Sequence, residues 1–202
     1  MKITVCVLAG GKGGRIGGDK CLKTLAGRRL IDLAVDIALR VECRLKDSRV
    51  VMASRNNDLA VNGIESLRDV AGKGPVAGLY SCLLRYGSTL VFPCDMPFLP
   101  SDLLLHLVEA GRGHDLAVCR FDGLVQPQVG VYSESCLTAI EEFISEGKFS
   151  LFRIINESGL DAIILDEAEL TAFGNPARMF LNINTGEQLE EAQKLGPDPD
   201  LP

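Results

Sequence analysis

Three features of the sequence predict an α/β protein with three layers, α/β/α, around a mostly parallel sheet. The chain opens on an apolar run, Ile3 to Leu8, that passes straight into a glycine-rich loop and then into a helical apolar pattern, the order of a βα unit. Two more apolar runs, Arg49 to Ala53 and Thr89 to Phe92, end in polar or proline-bounded loops with a second helical pattern between them. A pair of strand-like runs about the turn Asp122-Gly123 adds a small antiparallel excursion.

The first element after the opening strand is the loop itself, with six glycines between Gly10 and Gly18. Glycine lacks the Cβ that keeps backbone away from a ligand and tolerates positive φ, so successive N–H groups can turn inward around an anion. Lys12, Arg15 and Lys20 add positive charge beside those donors, which makes the loop a phosphate-site candidate. Spacing excludes two common phosphate motifs. No glycine starts a Gly-x-Gly-x-x-Gly pattern, and neither Lys12 nor Lys73 is followed by Ser or Thr.

Next comes a helix with an apolar stripe at Ile31, Ala34, Val35, Ala38 and Leu39, then the strand Arg49 to Ala53 and a polar loop from Ser54 to Asp58. Asp69 to Pro75 forms a second glycine loop, and Pro75 opens a helix whose inner face reads as Val76, Leu79, Tyr80, Leu83 and Leu84. That loop is either plain structure ahead of a good helix start or a second ligand-facing segment. The run Thr89 to Pro100 carries Asp95 at the carboxyl end of its strand, between Pro93 and Pro97. Ligands of open α/β sheets gather at such ends, and a carboxylate there suits Mg²⁺, a hard ion that takes oxygen ligands. The competing role, capping the helix that begins near Ser101, falls better to Ser101 or Asp102.

Asp115 to Cys119 and Gln128 to Tyr132 read as the antiparallel strands, Glu134 to Glu146 and Leu151 to Ser158 as helices, and Ala162 to Leu165 as a short strand. Phe180 to Asn184 reads as a last strand, with Asn182 and Asn184 on one face, where they either tie loops together or touch a polar substrate. Thr185 to Gln188 is a capping box opening a helix through Leu195. Residues 1–195 are read as a single domain, and the proline-rich tail 196–202 as disordered.

Composition narrows the chemistry. The chain has 202 residues, 47% of them hydrophobic, enough for a sizeable core. No apolar run reaches the length of a membrane span, and the first strand leaves no room for a signal peptide, so a cytoplasmic protein is expected. Seven cysteines without any Cys-x-x-Cys are expected to be small buried thiols, reduced, with no zinc site or disulfide framework. Net charge is −6, yet the first 29 residues hold seven cations against Asp19 alone. An acidic surface with one basic pocket disfavours nucleic acid and suits a small polyanion such as a nucleoside triphosphate. The two histidines, His106 and His114, read as surface residues, and the chemistry is one that needs no histidine base.

In four places the sequence resembles the molybdenum cofactor guanylyltransferases, the MobA-like members of the nucleotidyltransferase superfamily. These are Leu8-Ala9-Gly10-Gly11 with Arg15, Ile16, Gly17, Asp19 and Lys20; Asp69 with Gly74 to Leu79; Pro93-Cys94-Asp95-Met96-Pro97; and Asn182-Ile183-Asn184-Thr185. The resemblance implies a Rossmann-like sheet of nucleoside-diphosphosugar transferase type, and transfer of GMP from GTP to the phosphate of molybdopterin, with or without molybdenum, with release of pyrophosphate. It further implies that Leu8, Ala9, Gly10 and Gly11 contact the nucleotide, that Arg15 and Lys20 meet phosphates, that Asp69 meets the guanine nucleoside, and that Asp95 binds the nucleotide's Mg²⁺. Gln126, Asn182 and Asn184 become candidates for the pterin side, and transient contacts with cofactor-delivering proteins are expected. Two departures stand out: no asparagine ends Met52-Ala53-Ser54, and Gly186 replaces the family's usual proline. The alternatives are a guanylyltransferase acting on adenosylcobinamide phosphate or phospholactate, and a GTP-binding module without turnover.

Overall fold

The computed structural model describes residues 2–10, 20–54, 59, 61, 63–68 and 70–196. In chain order its strands are β1 (Thr4–Leu8), β2 (Thr24–Leu25), β3 (Arg28–Arg29), β4 (Arg49–Ala53), β5 (Glu65–Leu67), β6 (Thr89–Pro93), β7 (Leu116–Phe121), β8 (Leu124–Tyr132) and β9 (Ala162–Leu165). The helices are α1 (Leu30–Arg44), α2 (Gly74–Tyr86), α3 (Ser101–Ala110), α4 (Cys136–Ser145), α5 (Leu151–Glu157), α6 (Glu167–Leu170), α7 (Pro176–Met179) and α8 (Gly186–Leu195). Among the described residues one seven-stranded sheet runs β5-β4-β1-β6-β8-β7-β9, and β2 and β3 form a separate hairpin.

Only β8 runs against its neighbours; the other pairings in this sheet are parallel. Its turn is Asp122-Gly123, with φ of +51° and +69°. Two successive positive φ values twist a two-residue hairpin in the sense the strands need, and Asp-Gly tolerates them.

All five residues of β1 are buried, because a parallel strand covered on both faces has no solvent side. Successive side chains alternate between two cores: Val5 and Val7 pack toward α1 and α3, Cys6 and Leu8 toward α2, α4 and α5. β6 divides the same way, Leu90 and Phe92 to the first core and Val91 to the second. The sheet is thus the middle of the three expected layers. A third, smaller cluster joins Leu25, Leu30, Leu33 and Phe98 to Ile183 and Ala192 beneath α8.

Several sequence expectations need correction. Leu39 is 40% exposed, at the margin of α1's buried arc, which holds the expected Ile31, Ala34, Val35 and Ala38 and widens to Leu30, Leu33, Ile37 and Val41. On α2, Leu84 is 54% exposed and Tyr80 half-buried, while Ala77 and Cys82 face the core. Neither Ser101 nor Asp102 caps α3, whose N-cap is Pro100; Asp102 pairs with Arg44 on α1. Phe180 to Asn184 is not a strand. Its N–H groups are taken by turns to Pro176 and Arg178, by the Asp95 carbonyl and by the Gln188 side chain, so no ladder forms. The edge strand β5 and the short helices α6 and α7 carry too few residues for a periodic signal. The tail 197–202 lies outside the described residues.

Candidate active site

The order of the sheet fixes where a ligand goes. From β1 the chain moves to β4 on one side and later returns to β6 on the other, which makes the β1/β6 boundary a topological switch point. Pairing of β1 continues past the strand ends on both sides: Ala9 N donates to Ala53 O at the end of β4 at 2.8 Å, and Cys94 N, after β6, to Leu8 O at 3.1 Å. Leu8 and Ala9 are therefore buried backbone anchors, and Gly10 emerges at the edge, where, chain neighbours aside, no atom of the described residues lies within 4 Å of a Cβ position. Gly11 and Arg15 lie outside the described residues, as does Asp69.

Lys20 begins a single 3₁₀ turn, Lys20–Leu22, that leads into the β2–β3 hairpin. Its ammonium donates to Asp95 Oδ2 at 2.8 Å and also to Asn184 Oδ1. Asp95 is 9% exposed, set by the strand that Pro93 ends. Ile183 N donates to the Asp95 carbonyl at 2.9 Å, which brings the Asn182-Ile183-Asn184 segment against the carboxylate. Residues from three distant parts of the chain thus meet at one sheet edge.

Two oxygens in this group are buried without a hydrogen-bond partner among the described residues, Asp95 Oδ1 and Asn182 Oδ1. A buried carboxylate oxygen with no donor among the described residues, while its twin is held by an ammonium, costs free energy unless something electropositive reaches it. Hard oxygen donors of this type suit Mg²⁺, which uses one or two protein ligands and completes its shell with water and phosphate. The residues present therefore fit the metal that the sequence implied.

Behind the polar cluster, the sulfurs of Cys21 and Cys94 lie 2.9 Å apart, both buried. The Cys21 contact, followed by burial, holds the Cys94 thiol well above the usual thiol range. Gln126, on β8, is half-buried, and its amide donates to Leu124 O at 3.3 Å within its own strand. Near the second glycine loop, Val70 N donates to Ser81 Oγ at 2.9 Å, which ties the residue after Asp69 to the buried face of α2. Lys73, at the start of α2, lies over the Phe149 ring, 5.5 Å from its centroid. Ser54, near the end of β4 where the resemblance leads to the expectation of an asparagine, is buried, with its N–H on Leu67 O at 3.1 Å. Of the histidines, His106 is exposed against Phe173, and His114 sits beside Asp161 at 2.8 Å.

Gln188 escaped the reading of the site from sequence. Its Oε1 accepts from both Asn184 N at 2.8 Å and Thr185 N at 3.0 Å. The capping box was legible as a helix start, but its closeness to the Asn-x-Asn pair was the signal for a second role.

A mostly parallel sheet, a first strand that ends at its switch point ahead of a basic, glycine-rich stretch of sequence, and a lysine–aspartate pair at the same edge define a nucleotidyltransferase-type α/β protein. The comparisons make this specific: residues 5–162 match the family model described as the MobA-like NTP transferase domain, and the chain belongs to that family. A probable molybdenum cofactor guanylyltransferase of Pelotomaculum thermopropionicum is 30% identical over 199 residues, covering 96% of this chain and 94% of the relative. The molybdenum cofactor guanylyltransferase of Desulfosudis oleivorans is also 30% identical, covering 95% and 94%. Among solved structures, molybdopterin-guanine dinucleotide biosynthesis protein A from Archaeoglobus fulgidus is similar with a TM-score of 0.80 and 27% identity, over 96% of this chain and 98% of that one.

Proposed function

We propose that this protein transfers GMP from GTP to the phosphate of molybdopterin, with or without bound molybdenum, releasing pyrophosphate and forming the guanine dinucleotide cofactor. The observation that carries the proposal is the junction of Lys20, Asp95 and Asn184 at the switch-point edge, in a chain whose full-length relatives bear the guanylyltransferase name. A phosphate oxygen of the pterin attacks the α-phosphorus of GTP, and the bond to the bridging oxygen of the β-phosphate breaks. The second pKa of a phosphate monoester is about 6, so the nucleophile is already anionic at pH 7 and needs no strong base. Catalysis then consists of aligning two polyanions and neutralising charge as pyrophosphate leaves.

Lys20, together with Arg15, supplies positive charge to the phosphates, and the segment Leu8, Ala9, Gly10 and Gly11 contacts the nucleotide. Asp69 meets the guanine nucleoside. Asp95 would hold Mg²⁺ through its Oδ1, which has no partner among the described residues, with Asn182 Oδ1 as a second oxygen donor. When bound, the metal supplies charge neutralisation on the triphosphate. Gln126, Asn182 and Asn184 are the pterin-side candidates; Asn184 also orients Lys20. No helix among the described residues is long and apolar enough to cross a membrane. A cytoplasmic setting, with the labile pterin handed over by cofactor-delivering proteins, completes the proposal.

The test follows the atoms. With GTP labelled at the α-phosphorus, Mg²⁺ and anaerobically prepared molybdopterin, the label should appear in a pterin–guanine dinucleotide identified by mass. Label remaining in GTP, while adenosylcobinamide phosphate or phospholactate is guanylylated, would reassign the acceptor; binding of GTP without transfer to any of the three would leave a binding module.

A further inference from the structure

We propose that Gln188 is a positioning residue for Lys20, acting through Asn184, so that helix α8 belongs to the active site. The inference rests on the function proposed above. α8 lies beyond residues 5–162, the stretch matched by the family model, and it buries only Ala192 among its own residues. Read as an isolated element it would be an amphipathic C-terminal helix with a good cap.

The hydrogen bonds say more. In a capping box the side chain three residues into the helix need only return to the N–H of the cap residue. Here the Gln188 oxygen accepts from Thr185 N at 3.0 Å and also from Asn184 N at 2.8 Å, while Gln188 N donates to Thr185 Oγ1 at 3.2 Å. Two successive backbone groups are thus fixed by one amide oxygen. The second, Asn184, is the residue whose side chain accepts from the Lys20 ammonium. A lysine side chain has roughly 2 kcal/mol of rotamer freedom to lose, and a single acceptor leaves much of the direction of its head group unset. Asp95 and Asn184 together give two acceptors from different segments, and Gln188 holds the second of them.

The packing under this network points the same way. Ile183 and Ala192 share a cluster with Leu25, Leu30, Leu33 and Phe98. Leu25 lies in the hairpin that directly follows the Lys20 turn. One small core therefore supports both the lysine and the segment that aims it. At the far end of α8, Arg178 donates to the carbonyls of Leu195 and Gly196, each at 3.4 Å, which pins the helix from its other terminus.

The test uses the full chain with Gln188→Ala and Gln188→Glu, and three readouts: steady-state transfer, acetylation of Lys20 by acetic anhydride read by peptide mass, and thermal midpoint. Gln188→Ala should lower kcat about 10- to 100-fold, the scale of a small misplacement of a reacting group, with a much smaller change in KM for GTP. Lys20, whose side chain is 18% exposed, should acetylate several-fold faster. Gln188→Glu should restore both, because a carboxylate accepts the same two N–H groups. A Gln188→Ala protein that loses only thermal stability, with kcat and Lys20 acetylation as in the unaltered chain, would overturn the inference and leave Gln188 a plain cap. If the unaltered chain shows no transfer yet Lys20 acetylation still rises in Gln188→Ala and falls back in Gln188→Glu, the proposed reaction fails and the positioning role stands.

Discussion

Gly130 sits in β8 directly opposite Val118 of β7, in the stretch where the antiparallel strand is pressed against its neighbour. A Cβ added there would lie 2.6 Å from the Ala117 carbonyl oxygen and 2.6 Å from Val118 Cγ1. The valine methyl can rotate away, but the carbonyl is backbone of the paired strand, so Gly130→Ala must separate β7 from β8. Overpacking of this kind costs about 3 kcal/mol, the upper end of the usual range. For a domain near 200 residues that corresponds to a fall of about 6–12 °C in the thermal midpoint. Circular dichroism melts of the two proteins measure it directly. The register shift between Val118 and Cys119 brings Gln126, a proposed pterin-side residue, opposite Cys119, beside the strained Val118–Gly130 pair, so the displacement is expected to move it too. A midpoint within about 2 °C of the unaltered protein would mean that the two strands are not in this register.

Three other outcomes are expected. Asp95→Asn keeps the shape and an acceptor for Lys20 but removes the charge that fits Mg²⁺, so turnover should fall about 100-fold or more while GTP affinity and the melting midpoint change little; retained turnover would remove Asp95 from the machinery. The Ser135 hydroxyl, then the Asp161 N–H, then the nearby His114 hold the Asp115 carboxyl below the usual carboxylate range. A lowered folded-state pKa gives stability that is present above the unfolded value and lost as pH falls through the folded one, so acid unfolding below about pH 4 should be less steep in Asp115→Asn; an unchanged slope would contradict this. Of the seven cysteines, Cys43 alone is exposed, and burial pushes Cys119 and Cys136 up to about 12, so a native thiol titration should give one fast equivalent and denaturation all seven.

The fold was legible where the sequence repeats a period or carries a strong terminator. β1, β4 and β6 are short, largely buried strands and β9 a half-buried one, all with apolar runs that have clear ends, and Asp122-Gly123 and the Thr185 to Gln188 box have stereochemistry that few other residues satisfy. Failures came where tertiary contacts decide. Phe180 to Asn184 alternates like a strand, yet its N–H groups are claimed by turns, by Asp95 and by Gln188. Leu39 and Leu84 fit helical stripes, yet each lies at the margin of an otherwise correctly read buried arc and faces out. The site was half legible for the same reason. Lys20 and Asp95 announce themselves as a cation in a glycine loop and an acid between prolines. That they touch each other and Asn184 depends on which strands lie side by side, and no local pattern encodes that.

The most direct test of the central claim is pyrophosphate release in the presence of Mg²⁺, with GTP, CTP and ATP compared, each with and without anaerobically prepared molybdopterin. Release with GTP only when molybdopterin is present is the predicted result. Equal release with CTP or ATP, or release from GTP that is indifferent to molybdopterin, would contradict it.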